Sequence, residues 1–273
     1  MSEWWTYRLA DFLLFSPETY YRLFELHNNA VWPAQLVAAL TGLAILALIL
    51  FEPPWAGRAI AALLAAAWIF VGWYFLLARY ADINFAATYF AWTFFLQAAL
   101  LLVSGVGFAR LQPSPSDTTF AHKIGIGLIA FALLAYPFLG ALAGRKWSEV
   151  ELFGIAPDPT ALLTLGVLLT ARRTPWELAI LPALWCVVTG ATLWVMDDPA
   201  AIVMPLAALL ALGLAATKRR SRAPVDPIDC FPHVPAPCPS GGMVDATDSK
   251  SVIRKGVLVR VRPGAPIRIS HLS

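Results

Sequence analysis

Few side chains in this chain are equipped for chemistry, and the most distinctive local stretch is Glu149-Val150-Glu151-Leu152-Phe153-Gly154-Ile155-Ala156-Pro157-Asp158-Pro159-Thr160. Paired carboxyls can move protons or hold a metal. Here, however, Glu149, Glu151, His27, His122 and Cys186 show no ligand spacing, and there is no nucleophile-base motif or phosphate loop. No catalytic, cofactor or metal residue is assigned on this basis, and the pattern leans away from an enzyme. Only a pocket that gathered Glu149, Glu151 and His122 would reverse that. Asp158 is expected to cap the helix that Pro159 begins, with Gly154 and Pro157 forming an elbow at the membrane surface. A helix N-terminus also attracts anions, but Asp158 would oppose one. Cys186 reads as small apolar filler.

Neutral polar residues are the other candidates. Gln35, Thr41, Gln97, Ser104, Thr164, Thr189 and Thr192 could line a path for a neutral solute, or could bond to neighbouring helices and to their own backbone, which is the favoured expectation. Pro33, Pro137, Pro182 and Pro205 read as ordinary kinks in preference to the broken helices of a binding site. Trp32-Pro33-Ala34…Thr41-Gly42 faintly echoes Leu181-Pro182-Ala183…Thr189-Gly190, a match that Ala/Leu-rich helices also give by chance. Gly42, Gly125, Gly127, Gly140 and Gly190 permit close helix approach and suggest a packed bundle over a wide pore.

The elements that must carry these residues follow from composition. A chain of 273 residues that is 59% hydrophobic, 14% charged and has a mean hydropathy of +0.67 cannot coat a water-exposed globule. That excludes a cytosolic enzyme, a disulfide scaffold and a disordered protein. A spanning helix needs about 20 mainly apolar residues. Ala30–Phe51, Ala59–Ala78, Phe85–Phe108, Ile124–Gly144 and Leu178–Met196 are clear spans, and Pro159–Ala171 and Pro199–Ala216 are shorter, making seven. Pro159–Ala171 is the weakest, and as a re-entrant segment it would leave six. Trp32, Trp55, Tyr80, Trp147, Trp176 and Trp194 fall near span ends, where indole and phenol rings favour the headgroup level. No ionisable residue falls inside these spans, which argues against a proton-coupled pump. Arg58, Arg110, Lys123, Arg172, Arg173, Lys218, Arg219, Arg220 and Arg222 collect on one side, against five basic residues on the other. Seven spans then put the N-terminus outside and the Lys218–Arg222 cluster in the cytoplasm.

Residues 1–29 lack the basic start and apolar core of a signal peptide. Ser16-Pro17 reads as an N-cap and first-turn proline, followed by apolar Tyr20, Tyr21, Leu23 and Phe24 and polar Glu18, Arg22 and Glu25, so the segment is expected to lie in the interface. Residues 3–8, EWWTYR, then Asp11–Pro17, Tyr21–Glu25 and Val31–Gln35, together with the elbow at 151–160, resemble an uncharacterised bacterial family, the domain-of-unknown-function family 6064 of multi-pass membrane proteins. The resemblance covers about residues 1–215. It implies an inner-membrane location and carries over no activity and no site residues.

The tail differs in kind. Residues 223–273 hold 8 of the 21 prolines and no long apolar run. Arg254, Lys255, Arg260, Arg262 and Arg268 invite a nucleic-acid interpretation, but CPSGGMVDATDSKSVIRKGVLVRVRPGAP, residues 238–266, resembles the conceptual translation of a bacterial leucine tRNA gene. A permitted back-translation contains GCCCCAG and CTGGGGC as an acceptor stem and TTCGAGT as a T-loop, and it ends on CCA. A reading frame that has run past its ancestral stop is therefore expected, with Cys230, Cys238, His233 and His271 accidental. The genomic codons decide it.

Together these features predict an all-α polytopic transmembrane helix bundle of about seven spans. An interfacial N-terminal segment (1–29), the bundle (30–216) and a basic cluster with a disordered tail (217–273) follow in order. The expected activity is structural or interaction-based, in the inner membrane, with the lipid bilayer and a membrane-protein partner or second copy as partners and no nucleic acid. The alternative is a transporter or channel for a small neutral solute. A polar stripe of Gln97, Thr164, Thr189 and Thr192 around one cavity would favour transport, and dispersed helix-to-helix contacts would favour the first.

Overall fold

The computed structural model describes residues 15–113, 119–142 and 144–220, and these are helical, with no strand among them beyond an isolated bridge between Pro113 and Ala171. The expectations for residues 1–14 and 221–273, including the tRNA-like tail, lie outside the described residues. Helix α1 is Pro17–Ala30. As expected, the Ser16 hydroxyl caps it by accepting from the Thr19 N–H at 3.3 Å. Its buried residues Tyr20, Leu23, Phe24 and His27 are spaced as one helical stripe, while Glu18 and Arg22 face outward.

The long helices begin with α2 (Ala34–Phe51), which ends at Glu52 in the left-handed conformation ahead of Pro53 and Pro54. Helix α3 (Ala56–Phe70) continues through a π-helical segment, Val71–Leu77, and α4 (Ala87–Leu100) through another, Leu101–Gly107. Helices α5 (Phe120–Ala130) and α6 (Tyr136–Leu142) are joined by the π segment Phe131–Ala135 into one span. After them come α7 (Pro157–Thr170), α8 (Trp176–Val195) and α9 (Val203–Arg220). Helix α9 runs past residue 216, so the expected boundary between bundle and basic cluster falls inside it.

Among the described residues, six helices are long and apolar enough to cross a membrane: Ala34–Phe51, Ala56–Asp82, Ala87–Gly107, Phe120–Leu142, Trp176–Val195 and Pro199–Lys218. Helix α7, with 14 residues, is shorter than a full helical span, in keeping with Pro159–Ala171 being the weakest of the expected spans. Its ends nevertheless lie at opposite ends of the bundle. At the first end Phe15 and Tyr20 pack on Tyr80, Tyr21 bonds to Asp198, and the Asn28 amide donates to the carbonyls of Ser148 and Val150, the residues leading into the elbow. At the second end Arg110 pairs with Glu177 at 2.7 Å, the Arg172 N–H bonds to the Gln112 carbonyl, and Lys218 bonds to the Ala171 carbonyl. The chain thus passes from end to end seven times. In the fifth passage the elbow Leu152–Ala156 supplies the first part and α7 the rest.

Non-helical backbone at that depth is tolerated only where protein encloses it. Every residue from Phe153 to Thr170 is buried, so the elbow is inside the bundle and not at the membrane surface. Gly154 takes φ +73°, which lets the chain reverse, and its N–H donates to the Thr160 hydroxyl at 2.9 Å, which in turn donates to the Ala156 carbonyl at 2.7 Å. At the far end the Lys218 ammonium donates to the carbonyls of Leu169 and Ala171 at 3.1 and 2.8 Å, satisfying groups a helix end leaves open.

Packing around α7 is backbone to backbone. A Cβ on Gly125 of α5 would lie 2.8 Å from the Gly166 carbonyl oxygen, and one on Gly166 would lie 2.9 Å from that of Gly125. Gly190 of α8 similarly admits Pro205 of α9. Elsewhere Trp68, Phe94 and Trp185 form the aromatic centre, with ring centroids 4.3 and 5.0 Å apart. Large apolar side chains point away from the bundle along α2, α4 and α8, among them Val37, Leu40, Trp92, Leu184 and Val187.

Candidate functional site

The centre of the site is Asp158, in the first turn of α7 and 2% exposed. It does not cap that helix. The N-cap position is Ala156, which makes no side-chain cap bond, and the carboxylate turns into the bundle instead. One oxygen accepts from the Trp185 indole N–H at 2.7 Å and the Thr189 hydroxyl at 2.8 Å, and the other accepts from the Tyr136 hydroxyl at 3.1 Å. Trp185 and Thr189 share a face of α8 because they are four residues apart. Tyr136 and Thr189 each lie six residues from the first-end terminus of their helices, so Asp158 sits about 9 Å below it. Burying a carboxylate there is costly unless such donors meet it.

A second carboxyl lies just above. Glu151 is 6% exposed and pairs with the Arg145 guanidinium at 3.0 Å, and both side chains are largely shielded from solvent. Arg145 stands over the Tyr21 ring, 4.5 Å from its centroid, and the Tyr21 hydroxyl donates to Asp198. Burial and the nearby Asp158 charge raise Glu151 to about 8, against the pull of Arg145. Desolvation pulls the Arg145 guanidinium down, but the charge and hydrogen bond of Glu151, with Tyr21 and Asp198, together hold it above its ordinary value. Burial and the bond to Asp198 push Tyr21 upward. Arg145 is thus the counter-charge of Glu151, while Asp158 is met by neutral donors alone.

The other sequence candidates disperse. The Gln97 amide donates to the Leu178 carbonyl at 3.0 Å. Thr164 donates to the Thr160 carbonyl at 2.7 Å and accepts from the Trp68 indole at 3.0 Å. Thr192 bonds to the Val188 carbonyl, Thr41 to that of Val37, and the Gln35 amide to that of Asn28. Ser104 is buried at the second end, where its carbonyl accepts from the Arg110 N–H. Only Thr189 joins the site. Glu149 accepts from the Lys146 N–H at 3.2 Å, whereas His122 lies at the start of α5, at the opposite end of the bundle. No group of three His, Cys, Asp or Glu that could hold a metal occurs among the described residues.

Tyr21, Tyr136, Arg145, Trp185 and Asp198 are site residues that sequence reasoning missed. A signal was present. Asp158 is the single acid between Leu152 and Trp176, and an acid in so apolar a stretch calls for partners within the bundle.

Helices of this length and apolarity, crossing end to end with a buried carboxylate satisfied from within, define a polytopic α-helical membrane protein. The chain belongs to the Family of unknown function (DUF6064), whose model matches residues 17–224. Neither the curated proteins nor the solved structures contain a match to it.

Proposed function

We propose that the protein is an inner-membrane bundle that works through what it binds at its surface and not by passing a solute through its middle. The observation that carries this is the dispersal of Gln97, Thr164, Thr189 and Thr192, whose donors go to four different acceptors instead of lining one cavity. The Asp158 cluster acts in this reading as a lock that fixes α7 among α6 and α8. The second end, with Arg58, Arg110, Lys123, Arg172, Arg173 and Lys218, faces the cytoplasm by the basic-residue bias, and α1 lies on the outer side.

Swelling of proteoliposomes in a panel of small neutral solutes tests the proposal. The expected rates equal those of protein-free vesicles, and a several-fold faster rate for any solute would overturn it. The alternative, transport of a small solute, is favoured by one observation, the buried Glu151 raised to about 8 beside Arg145 at the first end of the bundle. Flux that rises or falls between pH 6 and 9 and disappears in Glu151→Gln would establish that alternative.

A further inference from the structure

Helices α2 and α3 border a groove in two parts. Its upper part, about 560 Å³ at the first end, is lined by His27, Val31, Ala34, Phe70, Tyr74 and Arg79. Its lower part, about 250 Å³, shares Ala34 and Phe70 and runs on between Val37, Ala38, Leu63 and Ala67 to the elbow at Phe153–Ile155. The lower walls are almost wholly apolar, and both parts are open along one side. From Arg79 to Leu63 the segment covers roughly 20 Å, its π-helical turns rising less per residue than an α-helix, and this still exceeds the roughly 15 Å of one leaflet of hydrocarbon.

Two observations at the mouth are independent of this shape. Arg79 is half-buried and has no ion-pair partner among the described residues. His27 is 1% exposed, and its ring nitrogens make no hydrogen bond of good geometry, with only the Ile155 backbone beside them. Its ring is held edge-on to Phe75, 5.3 Å between centroids, beside the Arg79 charge. A buried donor or acceptor left open is costly. A cation and an open imidazole above an apolar slot match a phosphodiester joined to an acyl chain.

We infer that this groove is a binding site for an anionic phospholipid, the phosphate meeting Arg79 and His27 and one acyl chain lying between α2 and α3 against the elbow. This rests on the proposal that the protein works through what it binds at its surface, and it names the partner. A solvent-facing cleft of similar mouth would take free phosphate as well, but the apolar slot assigns the site to a lipid.

The test uses the full chain in mild detergent, offered phosphatidylglycerol or phosphatidylcholine in mixed micelles, washed, and weighed by native mass spectrometry. One phosphatidylglycerol is expected to remain, at least about tenfold over phosphatidylcholine, the ratio one charge-assisted contact supplies. Arg79→Gln should lower its retention about tenfold and Arg79→Lys should restore most of it. Ala66→Trp, which enters the groove from an exposed position without disturbing the core, should abolish retention while leaving the melting temperature unchanged. Arg58→Gln, at the other end of the bundle, should change nothing. Equal retention of the two lipids overturns the inference, as does retention unmoved by both Arg79→Gln and Ala66→Trp. So does displacement of the lipid by millimolar glycerol phosphate, which has the anion but no chain. Swelling in the vesicle assay would instead sink the proposed function and leave this retention ratio as it is.

Discussion

Helices α7 and α2 invert the rule of soluble proteins. Helix α2 is the more apolar, yet it buries only Ala38, Gly42, Ile45 and Ile49. Helix α7 carries an aspartate, two prolines and three threonines, and all 14 of its residues are buried. In a bilayer the apolar surface gains nothing by leaving lipid, whereas a polar group gains by finding a partner inside protein. The interior is therefore assigned to the segment lipid would not accept, and α2 is left to the lipid and, on its inner side, to the groove.

Asp158→Ala should be the most damaging single change. It strands the Trp185, Thr189 and Tyr136 donors, and unfolding in mixed micelles should show a loss of about 3 kcal/mol, against about 1 kcal/mol for Asp158→Asn, which keeps the shape and can still accept. Equal losses for the two would mean that the cluster contributes shape alone. Next come the glycines. Gly166→Ala drives a Cβ into backbone across the α5 contact and should cost about 2 kcal/mol, while Gly42→Ala meets the flexible end of Leu133 and should cost under about 1 kcal/mol. A reversed order would break the contrast between a tight interior and a looser rim.

Dependence on pH sharpens it further. The folded-state value of Glu151 lies above its ordinary 4.5, near 8, so its contribution is fully present below about 4.5 and is lost as pH rises through about 8. His27 is depressed from 6.5 to about 4, chiefly by burial, so its contribution is present above about 6.5 and is lost as pH falls toward 4. Thermal unfolding should show stability falling between about pH 6.5 and 8 and levelling off above that, and Glu151→Gln should flatten that limb only. The smallest effect is expected at Leu40→Ala on the outer face of α2. There Leu40 is 67% exposed, and the change should stay within about 0.5 kcal/mol.

Hydropathy and local capping were legible in the sequence. Ser16 caps α1, Gly154 turns the elbow, and the long spans fall within a few residues of the apolar runs, because each depends on neighbours within a turn or two of chain. The shortness of Pro159–Ala171 was also visible, and the ambiguity between six and seven spans came from it. Its resolution needed the contacts of Tyr136, Thr189, Lys218 and Gln112, which lie on other elements.

By itself, then, the sequence determined a helical membrane bundle, the positions of its spans and the start of α1. Only the tertiary structure decided that Asp158 is a buried acceptor and not a cap, since its three donors lie 22, 27 and 31 residues away along the chain. The same holds for Lys218, which reads as one charge of a basic cluster but closes the end of α7, 47 and 49 residues earlier. The physical reason is common to all of them. Hydropathy ranks a residue by its own side chain, but the free energy of a polar group at membrane depth is set by the partner that reaches it.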